Sequence, residues 1–107
     1  MCKYKGCTDL SSVTIGNSIT YINHYTFQGC SGLISVTIGK SVTEIGIEAF
    51  SGCSSITTIY CYAATPPRAD SSYLPASSTL YVPASSIDAY KNDWFWAQFK
   101  NIVAIEE

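Results

Sequence analysis

The chain has 107 residues, of which 47% are apolar and 13% charged, and its formal net charge is −2. That length holds one small domain, and the apolar content separates it from disordered chains. Six Lys and Arg argue against an electrostatic nucleic-acid binder, and no run of 18 apolar residues exists that could cross a membrane as a helix.

The opening residues, Met1 to Cys7, lack the apolar stretch that a secretion signal needs. From there an internal repeat dominates. Cys7, Cys30 and Cys53 are 23 residues apart, as are Gly6, Gly29 and Gly52, and Leu10, Leu33 and Ile56 keep the same step. Segments 7–29 and 30–52 share 12 of 23 residues, and Tyr4 stands 23 before Phe27. The chain is therefore expected to open inside a repeat, run through two full units and begin a third that departs after Cys61. A period of 20–29 residues carrying Leu-x-x-Val-x-Ile marks a leucine-rich solenoid.

Within each unit the physics is local. Leu10, Val13 and Ile15 send apolar side chains inward from one short strand, while Ser12 and Thr14 point outward by period-2 alternation. Successive strands stack about 4.8 Å apart as a parallel sheet, because one unit cannot bury its apolar face alone. The second half of each unit, Ile19 to Phe27 and Val42 to Phe50, is expected to close the coil. A second extended piece and a helical turn near Ala49-Phe50 would do this, with turns at Gly16, Gly39 and Gly46.

Beyond Cys61 the composition shifts to Ala, Pro, Ser and Asp, which predicts an irregular loop over 63–78 in place of the missing half of the third unit. Alternation returns over 78–82, with Leu80 and Val82 inward, predicting a fourth strand. A helix is expected over 86–100, with Ser85 or Ser86 as N-cap, an apolar face of Ile87, Tyr90 and Trp94, and Trp96 and Phe99 on an adjacent stripe. It would cap the solenoid, whose last coil otherwise leaves its core open. Residues 102–105 read as a last extended segment. The organisation is thus repeats over 1–62, then an irregular loop, last strand and helical cap over 63–107, all in one domain.

The pattern Cys-x-x-Leu-x-x-Val-x-Ile-Gly-x-Ser-Val-x-x-Ile-x-x-x-x-Phe-x-Gly-Cys, carried from Cys30 to Cys53, resembles the BspA-like leucine-rich repeats of bacterial surface proteins. The tail is similar to the usual ending of those proteins: Cys61 to Pro67, Leu80 to Pro83, then Ser86, Ala89, Tyr90, Lys91, Trp96, Phe99 and Ile102. Trp94 is the one aromatic this tail does not require, so the sequence leaves its exposure open. The resemblance implies a leucine-rich-repeat solenoid with a C-terminal capping helix. It also implies a cell-surface or secreted location and non-catalytic recognition of a host or neighbouring-cell protein or glycan. Two other roles fit the same sequence: a structural spacer and cap of a longer array, and a polysaccharide-binding accessory module of an enzyme.

The residues offer little for catalysis. Cys7, Cys30 and Cys53 hold equivalent positions, so their Cβ atoms should lie roughly 5 Å apart, too far for a disulfide, and they read as a buried structural ladder of thiols. Cys61 falls at an inward strand position and reads as core. Zinc would need Cys pairs at short spacing or His partners, and the sequence implies no metal or cofactor. His24, the single histidine, reads as a turn residue, and the carboxylates show no recurring pair. The outward strand positions carry more information. Thr14, Thr37, Tyr60 and Tyr81 fall in one ladder, Thr58 lies in the next, and Tyr62 extends the aromatic end. Thr and Tyr are good strand residues in any sheet, yet Tyr also combines contact area with a polar tip, as binding surfaces require. These six residues are the candidate ligand face. The first full unit is expected to leave an apolar end uncovered, through which two chains could pair as a homodimer.

Overall fold

The computed structural model describes residues 9–69 and 73–105. Five short strands form one parallel sheet in the order β1 (Ser12–Ile15), β3 (Ser35–Ile38), β5 (Thr58–Cys61), β6 (Thr79–Val82) and β7 (Asn101–Ala104). On the other side of the coil β2 (Tyr21–Ile22) pairs in parallel with β4 (Glu44–Ile45). This is a leucine-rich solenoid, and its 23-residue step appears directly in the pairing of Val13 with Val36 and of Val36 with Ile59.

Identical residues one coil apart build the interior. Val36, Ile38, Ile59 and Leu33 are fully buried, and the rings of Phe27 and Phe50 stack at 5.2 Å and 15°. Cys30 and Cys53 are buried thiols, as the ladder requires, and Cys53 Sγ–H donates to the Phe27 carbonyl at 3.0 Å. Burial pushes the Cys53 thiol up to about 11. The third rung, Cys7, lies outside the described residues, as does the segment containing Tyr4. The chain turns at Gly29 and Gly52, both at φ 79°, where a side chain on Gly52 would also press on the Gly29 backbone at 3.3 Å. Of the glycines assigned to turns from the sequence, Gly16 has open space around it, whereas Gly46 is needed for close approach: a Cβ there would stand 2.6 Å from the His24 backbone nitrogen. Four residues before each left-handed glycine, Tyr25 (φ 62°) and Glu48 (φ 52°) also take the left-handed conformation. The region around Ala49-Phe50 is a series of turns rather than a helical turn.

The C-terminal half continues the coil with altered steps. Thr58 pairs with Thr79, 21 residues on, and Thr79 pairs with Asn101 after 22 more. The loop after Cys61 still serves the second sheet. Arg68 bridges Glu44 in parallel and exchanges backbone hydrogen bonds with Thr43 and Ile45, one residue later than a 23-residue step would put it. Pro66 and Pro67 allow only this single bridge.

The capping helix is present but short. α1 covers Ile87–Asn92, between a 3-10 turn at Ala84–Ser86 and another at Trp96–Gln98. The expected helix over 86–100 breaks at Asp93, which is extended (ψ 131°), and its carboxylate accepts the N–H groups of Phe95 and Trp96 at 3.0 and 3.1 Å. A short carboxylate side chain offers the backbone an alternative to the helical ladder, and here that alternative wins. Ser86 does not cap the helix; its hydroxyl donates to the Ala64 carbonyl at 2.8 Å. Tyr90 Oη–H donates to the Ala63 carbonyl at 2.6 Å, and Trp96 Nε1–H to the Pro67 carbonyl at 2.8 Å. Three side chains of the cap therefore hold three carbonyls of the irregular loop. Cys61 is core as expected, with its Sγ 3.2 Å from Tyr90 Oη, and burial raises the pKa of both groups. No described helix is long and apolar enough to cross a membrane.

Candidate recognition face

The outward side of the five-stranded sheet is built from two rows, fixed by strand register. One row runs Ser12, Ser35, Thr58, Thr79, Asn101, and the other Thr14, Thr37, Tyr60, Tyr81, Val103. None of these ten side chains is charged. Strand alternation sends each outward because its neighbours in sequence, such as Ile59 and Leu80, fill the core. Tyr60 and Tyr81 lie on adjacent strands, and their rings stack at 4.6 Å and 18°. Tyr62 follows two residues beyond Tyr60 and is exposed; its N–H donates to the Ile38 carbonyl, which places it beside Gly39.

The six residues singled out in the sequence thus fall on one surface. Thr14, Thr37, Tyr60 and Tyr81 share a row, Thr58 sits one row over on the same strand as Tyr60, and Tyr62 prolongs that strand. Two features escaped the sequence reading. Val103, 42% exposed, ends the tyrosine row, and Asn101 ends the other. The alternation of Ile102 and Val103 signals an extended piece, but the 22-residue step hides the register. The second feature is the row Gly16, Gly39, Tyr62, legible as another 23-residue ladder.

The repeat pattern, the parallel ladders and the capping helix agree with a family comparison. A model described as "BspA type Leucine rich repeat region (6 copies)" matches residues 2–92. The chain belongs to the BspA-type leucine-rich repeat family. Comparison with curated proteins returns no match. As a member of this family the chain is a repeat module of the protein-interaction type, a type that is typically non-catalytic. Among the described residues no group of three or more His, Cys, Asp or Glu is placed to hold a metal ion.

His24 has a structural part in this BspA-type coil. Its Nδ1 accepts the Ile47 N–H at 2.7 Å, joining two coils, while Nε2 lies 3.3 Å from Tyr21 Oη. Asn17 repeats the device, its Oδ1 accepting the Lys40 N–H at 3.3 Å. Both side chains stand in for backbone carbonyls where the coils separate. The end of the first coil carries a groove of about 320 Å³ lined by Val13, Ile15, Ile19, Ile22 and Phe27, among others.

Proposed function

We propose that this chain is a non-catalytic recognition module of a cell-surface or secreted protein, binding a host or neighbouring-cell protein or glycan through the outward face of its sheet. The observation that carries the reading is the Tyr60–Tyr81 stack in an uncharged row that has hydroxyl side chains at every position but Val103. A stacked pair is preorganised, so little side-chain freedom is lost when a partner docks. The core does not need these rings, because Ile59, Leu80 and Cys61 already fill the inward positions of the same strands.

The test is a screen of the folded protein against extracellular-matrix proteins and glycans, repeated with the double substitution Tyr60→Ser and Tyr81→Ser. Binding that disappears in a variant of unchanged circular dichroism supports the reading. Undiminished affinity removes this face from consideration.

A second reading, a spacer within a longer array, draws on the apolar lining of the groove on the first coil, which a further coil of the same kind would cover. The same surface is where a second copy would pair. A clean monomer by light scattering at high concentration counts against that pairing.

A further inference from the structure

Resting on the recognition reading above, we infer that the ligand is a short uncharged oligosaccharide seated where the tyrosines rise from the flat first two coils. The outward surface changes height abruptly along the solenoid. Coils one and two present Ser12 and Thr14, then Ser35 and Thr37, short hydroxyl side chains, on the outward side of their strands. Coil three then raises Tyr60 and Tyr62. Tyr60 has one face covered by Tyr81, so its other face is turned toward Thr37, whose side chain is too short to cover it. Tyr62 stands beside Gly39, which has no side chain at all. The open face of Tyr60, with the exposed Tyr62 about 6.6 Å further along the strand, therefore looks toward the hydroxyls of Thr37 and Thr14.

Three properties of this step select the ligand. The first is area. Five strands about 4.8 Å apart and four residues long make a face of about 300 Å², against about 800 Å² per partner for a stable protein–protein interface. The face suits a few sugar units better than a folded protein. The second is charge. All ten side chains of the two rows are neutral, so the sheet face itself offers a sulfated or uronic-acid glycan no cation to replace its lost hydration. The third is chemistry. An aromatic face carries partial negative charge and packs against the C–H groups of a sugar ring, while threonine and serine hydroxyls both donate and accept hydrogen bonds as sugar hydroxyls require.

The experiment is titration of the folded chain with neutral glucan, mannan, xylan and N-acetylglucosamine oligosaccharides, read by two-dimensional NMR and calorimetry. The informative variant is Thr37→Tyr, which removes no group the fold uses but extends the tyrosine stack by one ring and covers the open face of Tyr60. We expect at least one neutral oligosaccharide to bind, with shifts concentrated on Thr14, Thr37, Tyr60 and Tyr62, and at least a ten-fold loss in Thr37→Tyr. Tyr60→Phe should keep most of the affinity and Tyr60→Ala should lose it. If Thr37→Tyr binds as well as the parent, the seat is elsewhere and the inference falls. If every oligosaccharide fails while an extracellular protein binds and is lost with Tyr60→Ser and Tyr81→Ser, the ligand class is wrong but the recognition face stands. If neither class binds, both readings fall.

Discussion

Residues 9–62 and 63–105 solve one packing problem in two ways. In the regular coils interior positions are filled by the same or a similar apolar residue one turn later, as with Phe27 on Phe50, Cys30 with Cys53 and Val36 beside Ile59, and Gly29 lies against Gly52. Backbone hydrogen bonds between coils then follow, as from Ile34 to Ser11 and from Thr57 to Ile34, with His24, Asn17 and Cys53 adding side-chain bonds between coils. In the C-terminal part the steps are 21 and 22 residues, and apart from the single Arg68 bridge the carbonyls of the loop have little ladder to join. Ser78, Ser86, Tyr90 and Trp96 supply individual donors to Ile56, Ala64, Ala63 and Pro67. Periodicity satisfies the buried backbone generically. Where it lapses, each buried carbonyl needs a side chain of its own.

The comparison is broken most severely at Trp96, which is fully buried, ringed by Tyr90, Phe95 and Phe99, and bonded to Pro67. Trp96→Ala should cost about 3–5 kcal/mol from cavity formation alone. We expect the sheet beyond β5 to lose hydrogen-exchange protection before β1 and β3 do. Uniform loss of protection across all strands would mean that the two regions fold as one unit.

A subtler test is Tyr90→Phe, which keeps the ring and removes only the hydroxyl. The Ala63 carbonyl and the Cys61 thiol then lose their partner inside the core. Urea denaturation should show a loss of about 1–3 kcal/mol. Its counterpart in the regular region is Gly52→Ala, which forces a side chain into a left-handed conformation and against Gly29. The cost should be about 1–3 kcal/mol. Adding Tyr90→Phe to Gly52→Ala should give the sum of the two losses if the regions are independent.

The buried thiols make the interior sensitive to alkali. Cys53 is held at about 11 against an ordinary 9.0, and burial pushes Cys61 and Tyr90 up as well. Between pH 9 and 11 the unfolded chain releases the Cys53 proton while the folded chain keeps it. Fewer protons are then bound in the unfolded state, so stability falls as pH rises through this window and is independent of Cys53 below it. Cys53→Ala should flatten that slope in chemical denaturation at pH 8, 9 and 10.

How much could be read in advance follows from the same division. The strands β1, β3 and β5 and their inward and outward rows are explicit in a 23-residue alignment, and so is the placement of Thr14, Thr37, Tyr60 and Tyr62. β6 was visible through alternation at Leu80 and Val82. The break at Asp93 had a sequence trace, since Tyr90 and Phe99 would fall on opposite faces of a continuous helix, but the carboxylate's bonds to Phe95 and Trp96, which set where the helix ends, are visible only in the structure. The Arg68 bridge was hidden by a one-residue slip, and the Ser86 hydroxyl by a distant acceptor, Ala64. These are long-range facts with no local signature.

The smallest expected effect concerns the second tryptophan. Trp94 is 72% exposed, only two residues from the fully buried Trp96. The extended backbone at Asp93 separates Trp94 from α1, and the turn that follows sends Phe95 and Trp96 inward. Trp94→Ser should therefore change stability by no more than about 0.5 kcal/mol. It should also abolish iodide quenching of tryptophan emission, leaving the shielded signal of Trp96. A larger loss of stability would show that Trp94 covers part of the cap after all, and would move the boundary between the two regions outward.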